Sequence, residues 1–387
     1  MNTSQVFAAL KTALKGSLPF QLGRGHRTLN LREMAKARLD RLLSPSKLSV
    51  GWLLVGDENV GSSRIHGFNL HRYLLGQGVS SHVIHSPAGY IESLDIDEFL
   101  IESIVRCRFD VVVFQRVHQG RASDLIRRLK AARTRTAFFM ADLYETDAFR
   151  ETDYVFAVSS QLKSALVDRG MDEGRIFVLP DAIETPYTQC KQYDQKVAGA
   201  PIRIVWTGAN GHWSTLNNVR RLLHSDSRFA DYRLTTISLH PETDVTWALA
   251  TVWDELLRGD IGIVPVDLAT AEARVKSNNR VTMFKALGMP VICSRLPVYE
   301  EAIIHGETGY FADTEEDWAT YLLALCDPEA RRRIGLNGRD EIFRKYGIDT
   351  IGSAFLRLLL RHTGGLRSQE AAMNTTDKRH SAERNRT

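Results

Sequence analysis

Short unbroken apolar runs alternate with helical stretches along this chain, and they do so in two successive series. The runs of the first series are Leu48–Gly56 (LSVGWLLVG), His82–His85, Asp110–Phe114 (DVVVF), Thr136–Met140, Asp153–Ser159 and Arg175–Leu179 (RIFVL). Helical spacing fills the gaps at 66–75, 99–105, 123–132 and 161–169, with Gly76 and Gly78 marking one helix end. The second series has runs at Ile202–Thr207 (IRIVWT), Arg233–Leu239, Asp260–Val266 and Pro290–Ser294. Its helical patterns fall at 214–223, 247–257, 281–287, 315–326, 328–345 and 349–362. Strands that are apolar throughout, rather than on alternate residues, need cover on both faces, and helices between them supply it in parallel sheets. The expected fold is α/β: two doubly wound Rossmann-like domains facing a cleft.

Between the series, 186–200 (PYTQCKQYDQKVAGA) lacks a clear period and reads as a linker. The expected layout is a basic N-terminal extension (1–47), a first domain (48–185), the linker (186–200), a second domain (201–347), a C-terminal helix (348–363) and a disordered polar tail (364–387). The tail has no aromatic residue with which to build a core. A length of 387 residues suits two to three domains. No apolar run approaches the roughly 18 residues needed to cross a bilayer. Cys107, Cys190, Cys293 and Cys326 lie far apart with no C-x-x-C pair, which signals neither a zinc site nor a disulfide framework and points to a reducing cytoplasm.

Charge is unevenly placed. Residues 1–47 hold nine Lys and Arg against Glu33 and Asp40, a net of +7, whereas the whole chain is +4, which leaves −3 on the rest. A body so near neutrality argues against a nucleic-acid-binding main domain. The basic front suits an anionic surface such as the inner leaflet, where each Lys or Arg is worth about 1 kcal/mol. Val6, Phe7, Leu10 and Leu14, interleaved with Lys11 and Lys15, have helical spacing for that role; a solvated extension is the plainer reading. No small-residue cleavage pattern follows, so a signal peptide is not indicated.

Ligands of doubly wound folds bind at strand carboxyl ends, so the loops there are the places to look for chemistry. In Thr207–Trp213 (TGANGHW), Gly208 and Gly211 on either side of Asn210 let backbone amides approach an anion at the following helix start. The pattern is neither a P-loop nor a full G-x-G-x-x-G, and a plain turn would also explain it. In Arg274–Gly288, Lys276, Asn278, Asn279 and Arg280 gather before an apolar helix. Cations at a helix N-terminus are unfavourable unless an anion binds there, and a diphosphate relieves the conflict. In the plainer reading these side chains are solvated and Asn278 or Asn279 is the cap. After the strand ending at Ser294, Tyr299, Glu300 and Glu301 open a helix; its carboxylates can accept hydrogen bonds from a hydroxyl-rich group, or serve only as good capping.

The run KSNNRVTMFKALGMPVICSRLPVYEEAIIHGETGYFADTEEDWATYLLALCDPEARRRIGLNGRDEIFRKYG (276–347) resembles the donor-binding half of group 1, family 4-like glycosyltransferases of the GT-B fold. The matching features are ALG-x-PV at Ala286–Val291, the turn at Ser294–Pro297, Glu301 before the Gly306-x-x-Gly309 pair, and the helix around Trp318. TGANG (207–211), YVFAVSSQLKSAL…RIFVLPDAIE (154–184) and GSSRIHGFNLHRYLLGQG (61–78) are similar to other parts of that fold. The family carries two glutamates eight residues apart, and here those positions fall at Met283 and near Val275. By resemblance the second glutamate contacts the nucleotide ribose, so its absence leaves Lys276 and Arg280 to grip the donor's phosphates. An unusual sugar nucleotide or an activated alditol phosphate comes into view as donor.

The resemblance implies transfer of a sugar from a nucleotide sugar to a glycan or lipid-linked acceptor in surface polysaccharide biosynthesis, with retention and with neither cofactor nor metal. Developing charge on the leaving diphosphate needs fixed cations and amides, which Lys276, Arg280 and the Gly208 loop would supply. The D-x-D pair Asp95–Asp97 precedes a helix and reads as a helix start. Donor contacts fall to Gly208, Asn210, Gly211, His240, Asn279, Ser294, Tyr299, Glu300 and Glu301, with His212 nearby. On the first domain, Gly61, Ser62, Ser63 and Arg64 form an acceptor or phosphate loop, and His118 or Asp142 could serve as base or position a hydroxyl; His66 and His71 read as structural. The rivals are an alditol-phosphate transferase, a sugar-nucleotide epimerase or hydrolase, and a non-catalytic subunit that binds nucleotide sugar.

Overall fold

The computed structural model describes residues 29–143, 148–193 and 200–363. The first series forms a six-stranded parallel sheet in the order Ser80–His85, Ser49–Leu54, Val111–Gln115, Arg135–Met140, Tyr154–Ala157, Ile176–Val178. The second forms another, ordered Val245–Thr246, Tyr232–Ser238, Ile202–Thr207, Ile261–Val264, Val291–Cys293, Tyr310–Phe311. Strands Ser49–Leu54, Ser80–His85 and Val111–Gln115 are buried at every residue, as two covered faces require. In each sheet the strand order reverses beside the first strand, and ligands of open α/β sheets collect outside the carboxyl ends at such a reversal. The loops after Leu54, Gln115, Thr207 and Val264 therefore stand where a ligand would sit.

Helix boundaries shift from the sequence pattern mainly where backbone geometry intervenes. The stretch expected at 214–223 starts as a 3-10 turn, Asn210–Leu216, and continues as Asn217–Ser225. The one expected at 247–257 shortens to Val252–Leu257. The helix expected at 328–345 breaks at Gly338, whose φ of 75° is a left-handed conformation that glycine enters cheaply.

Within the expected extension 1–47, the described part is folded onto the first domain. Helix Leu31–Leu43 begins at Asn30, whose side chain accepts from the Glu33 amide, and it buries Met34 and Ala37. Its cations meet partners of that domain: Arg41 pairs with Asp110 at 2.8 Å, and Arg38 donates to the Ser103 carbonyl at 2.6 Å. The segment with Val6, Phe7, Leu10, Lys11, Leu14 and Lys15 lies outside the described residues, as does the tail 364–387. Among the described residues no helix is long and apolar enough to cross a membrane.

The chain crosses between domains twice. Outbound, Ile183 donates its amide to the Tyr346 carbonyl at 2.8 Å; the described part of the expected linker then packs on the second domain, with Lys191 N to Leu287 O and Tyr193 Oη to Gly288 O both at 2.8 Å. At the far end, helix Ile348–Thr363 does not stay with the second domain. Its residues Ile351, Phe355, Leu356, Leu359 and Leu360 join the first domain's core. Phe355 lies 5.6 Å from Trp52 and 5.2 Å from Phe156 between ring centroids. Burying such a side chain contributes about 1.5–3 kcal/mol. The helix approaches so closely that a Cβ at Gly352 would lie 2.5 Å from the root of the Tyr73 ring. Gly352→Ala is therefore expected to destabilise the protein by about 1–3 kcal/mol through overpacking, despite alanine's better helix propensity. Urea unfolding of the variant checks this, and a gain in stability would show that the helix can move away freely.

Candidate functional site

Helices Ala271–Val275 of the second domain and Ser160–Asp168 of the first meet at the floor of the interface. The Ser159 hydroxyl donates to the Val275 carbonyl at 2.8 Å, and Ser160 Oγ lies 3.2 Å from Glu301 Oε1. Val275 itself is buried in the first domain's core. One residue on, Lys276 faces across the gap, its Nζ 3.5 Å from Asp142 Oδ1 of the first domain.

Helix Asn279–Ala286 begins directly afterwards, and no side chain caps it: Asn278 is buried but makes no capping hydrogen bond. Arg280 lies in its first turn. Among the described residues no carboxylate is within ion-pair distance of its guanidinium, and its Nη1 is buried without a hydrogen-bond partner. Burial pushes the hydroxyl of the fully buried Tyr299 up, while the charge and hydrogen bond of Arg280 beside it pull the other way. His212 belongs to the same group. Burial, then the charges of Arg280 and Lys276, push its imidazole down to about 4, so it is neutral at pH 7 and can both donate and accept. Two cations and an open helix start, faced among the described residues by the carboxylate of Asp142, suit an anion.

The loop after Thr207 is shaped by an indole. A Cβ at Gly208 would lie 2.5 Å from the Trp206 ring, so packing demands this glycine, and its carbonyl accepts from Ser238 Oγ at 2.8 Å. Asn210 and Gly211 are exposed, and their 3-10 turn also lacks a side-chain cap. Behind it Trp213 stacks on His240 with centroids 4.0 Å apart, and Arg220 lies 4.2 Å from the indole centroid. His240 Nδ1 accepts the Glu242 amide at 3.2 Å, which leaves a proton for Nε2 in the neutral ring.

Several other expected contacts have structural partners instead. The Ser294 hydroxyl is buried and accepts the Val266 amide at 3.0 Å, tying two strand ends together. Tyr299, being fully buried, can act on a ligand only through Arg280. Glu300 pairs with Arg295 at 3.0 Å on the exposed surface. Glu301 touches Ser160 of the opposite domain, and Asn279 lines a small interdomain cavity of about 60 Å³ with Arg280 and Met283. Val275 and Met283, where the resemblance expects glutamates, are both packed at the interface, where a carboxylate would need a partner.

Arg64 differs most from expectation. Its guanidinium makes a two-point contact with Glu184 (Nε–Oε1 2.5 Å, Nη2–Oε2 3.1 Å), donates to the Glu58 carbonyl at 2.7 Å, and lies 5.3 Å from the Trp247 ring centroid of the second domain. It joins the two domains and the crossover segment, leaving no open face for a phosphate. Burial pushes the Glu184 carboxyl up, with Arg64 opposing. Gly61 and Ser62 open the helical stretch 61–76 that carries Arg64, and the Ser63 hydroxyl donates to Gln115 Oε1 at 3.3 Å, tying that stretch to a strand end at the first sheet's reversal. His66, read as structural, pairs with Asp181 at 2.6 Å, both buried.

His118 has a nearly buried side chain, 3.3 Å from Glu92, and burial pushes it down. Asp142 stands at the lip, its Oδ2 2.9 Å from Arg116 Nη1. Arg116, which sequence reading did not single out, ends strand Val111–Gln115 with φ 61°, a left-handed conformation costing a non-glycine residue roughly 1–2 kcal/mol. No sequence signal marks such a residue. Asp97 caps its helix through the Leu100 amide, as a helix start should. Among the described residues no three His, Cys, Asp or Glu gather to hold a metal ion.

Two doubly wound parallel sheets facing a cleft define the GT-B class of fold, and this chain has it. No family model and no curated protein matches the sequence. Solved structures do match in fold. HepE of Anabaena, in complex with UDP and glucose, shares 11% identity at TM-score 0.58 over 81% of this chain and 99% of that one. A glycosyltransferase from Rickettsia africae shares 15% at TM-score 0.59, over 83% and 99%. The lipopolysaccharide outer core galactosyltransferase WaaB, in its apo form, shares 11% at TM-score 0.58, over 81% and 100%.

Proposed function

We propose that this protein is a glycosyltransferase moving a sugar from a nucleotide sugar onto a glycan or lipid-linked acceptor of surface polysaccharide synthesis. The observation that carries the reading is the buried, unpartnered Nη1 of Arg280 beside Lys276 and an uncapped helix start, at the carboxyl ends of a doubly wound sheet. The solved complexes of HepE with UDP and glucose support a nucleotide-sugar donor, and WaaB's outer-core substrate supports a glycan acceptor.

Glycosidic cleavage leaves negative charge on the nucleotide diphosphate. Lys276, Arg280 and the amides that open helix Asn279–Ala286 stabilise that charge without a metal, because they are fixed before the bond breaks. Neutral His212 adds a hydrogen bond without repelling the donor's cationic clamp. The Asp142 carboxylate already faces two cations, Arg116 and Lys276. The departing phosphate is better placed to take the acceptor's proton, and attack on the face it vacates retains the anomeric configuration. The four free cysteines fit a cytoplasmic site, where a basic N-terminal segment can meet the inner membrane face.

Incubation with a panel of nucleotide sugars and glycan acceptors tests this. The expected product is an acceptor heavier by one glycosyl residue, formed only when donor and acceptor are both present. An acceptor that gains phosphorus means alditol-phosphate transfer. Donor consumed without acceptor means an epimerase or hydrolase, and donor bound without turnover by any acceptor means a binding subunit; each of these overturns the proposal.

A further inference from the structure

The Asp142 carboxylate lies between cations of opposite domains. Arg116 of the first domain meets its Oδ2 at 2.9 Å, and Lys276 of the second lies 3.5 Å from its Oδ1. All three side chains are largely withdrawn from solvent, at 24%, 18% and 27% exposure for Asp142, Arg116 and Lys276. Arg116 is fixed rather than loose: its backbone is in the left-handed region at φ 61°, and its guanidinium lies 5.2 Å from the Tyr90 ring centroid. Such strained residues persist where the surroundings over-determine them. The Lys276 contact is longer than a good charge-assisted hydrogen bond. Close by, Arg280 still has a buried donor with nothing to accept from it.

Among the described residues, the Asp142 carboxylate is thus shared by Arg116 and Lys276, and no carboxylate is within ion-pair distance of Arg280. We propose that Asp142 is a place-holding anion: its carboxylate occupies, between Arg116 and Lys276, the position that a phosphate of the ligand takes on binding. Arg116 is then a phosphate-binding residue contributed by the first domain. The ligand exchanges one carboxylate for a group with more oxygens and more charge, and it reaches Arg280 as well. Until then Asp142 keeps the two lips together and shields the cations from one another. This rests on the phosphate-binding reading of Lys276 and Arg280 given above.

The test measures binding of inorganic pyrophosphate and of UDP to the full-length protein by calorimetry. Asp142→Asn, which keeps the shape and removes the charge, is expected to tighten both ligands about tenfold. Glu92→Gln removes a like charge from the same lip without touching either cation and should change affinity by less than about twofold. Arg116→Gly, which suits the left-handed backbone, should weaken both ligands, as should Lys276→Met. In small-angle scattering the ligand-free Asp142→Asn protein should be more open than the native one and should close on adding pyrophosphate. If Lys276→Met weakens binding while Asp142→Asn leaves it unchanged or weaker, the place-holder is overturned and the donor site stands. Equal tightening by Glu92→Gln also overturns it, since general electrostatics would then suffice. If Lys276→Met has no effect, or neither native nor Asp142→Asn protein binds either ligand, the donor site falls too.

Discussion

Arg280→Ala should all but abolish the thermal stabilisation that a nucleoside diphosphate gives the native protein. A guanidinium fork on phosphate contributes about 1.5–3 kcal/mol through charge-assisted hydrogen bonds, so the variant should bind up to about 100-fold more weakly. At a ligand concentration 100 times the native Kd, mass action stabilises the native protein by about 2.7 kcal/mol; a variant weakened about 100-fold gains only about 0.4 kcal/mol. The ligand-free variant should unfold near the native temperature, because no carboxylate among the described residues loses a partner when the charge goes. Arg280→Lys keeps the charge but not the planar fork, and should fall between the two. Tyr299→Phe should also weaken binding, though less, since Tyr299 acts on the guanidinium rather than on the ligand. An Arg280→Ala protein with an undiminished shift would place the diphosphate elsewhere.

The second large effect is on stability. Arg64 and Glu184 are a buried pair, with side chains 8% and 14% exposed. Removing Arg64 alone strands a carboxylate in the interface, and breaking such pairs costs about 3–5 kcal/mol. The deficit should depend on pH in a definite direction. Burial already pushes the Glu184 carboxyl up and Arg64 holds it back, so Arg64→Ala lets it rise further. A carboxyl whose folded pKa lies above its unfolded one contributes stability below the unfolded value and loses it as pH rises through the folded value. Urea unfolding of Arg64→Ala should therefore show the smallest deficit near about pH 4 and the largest well above it. The double variant Arg64→Met/Glu184→Leu should recover most of the loss, because a packed apolar pair carries no desolvation penalty. A single-variant deficit below about 1 kcal/mol would mean that solvent reaches the pair.

These two arginines show how far the site could be read in one dimension. The place of Arg280 at an uncapped helix start was legible because its oddity is local: a cation in the first turn of an apolar helix conflicts with the helix dipole, and the conflict can be seen within five residues of sequence. Arg64 sits in a glycine- and serine-rich loop of similar appearance, yet its partner Glu184 is 120 residues away. The same loop that suggested phosphate binding instead holds the crossover segment, through Arg64 to Glu184 and His66 to Asp181. Gly208 was legible as a glycine at a strand end; that Trp206 demands it was not. Arg116 left no trace, because a backbone forced to φ 61° by its surroundings has no side-chain signature.

Sequence alone determined the two parallel sheets and their helices, since a strand buried on both faces must be apolar at each position and the period of a helix is set by neighbours three and four apart. The tertiary structure decided what those elements meet. It sent helix Ile348–Thr363 back to the first domain, folded residues 29–47 onto that domain's edge, and set Lys276 opposite Asp142. Charge and packing energies depend on distance in space, and two residues distant along a chain become neighbours only after every intervening element has been placed.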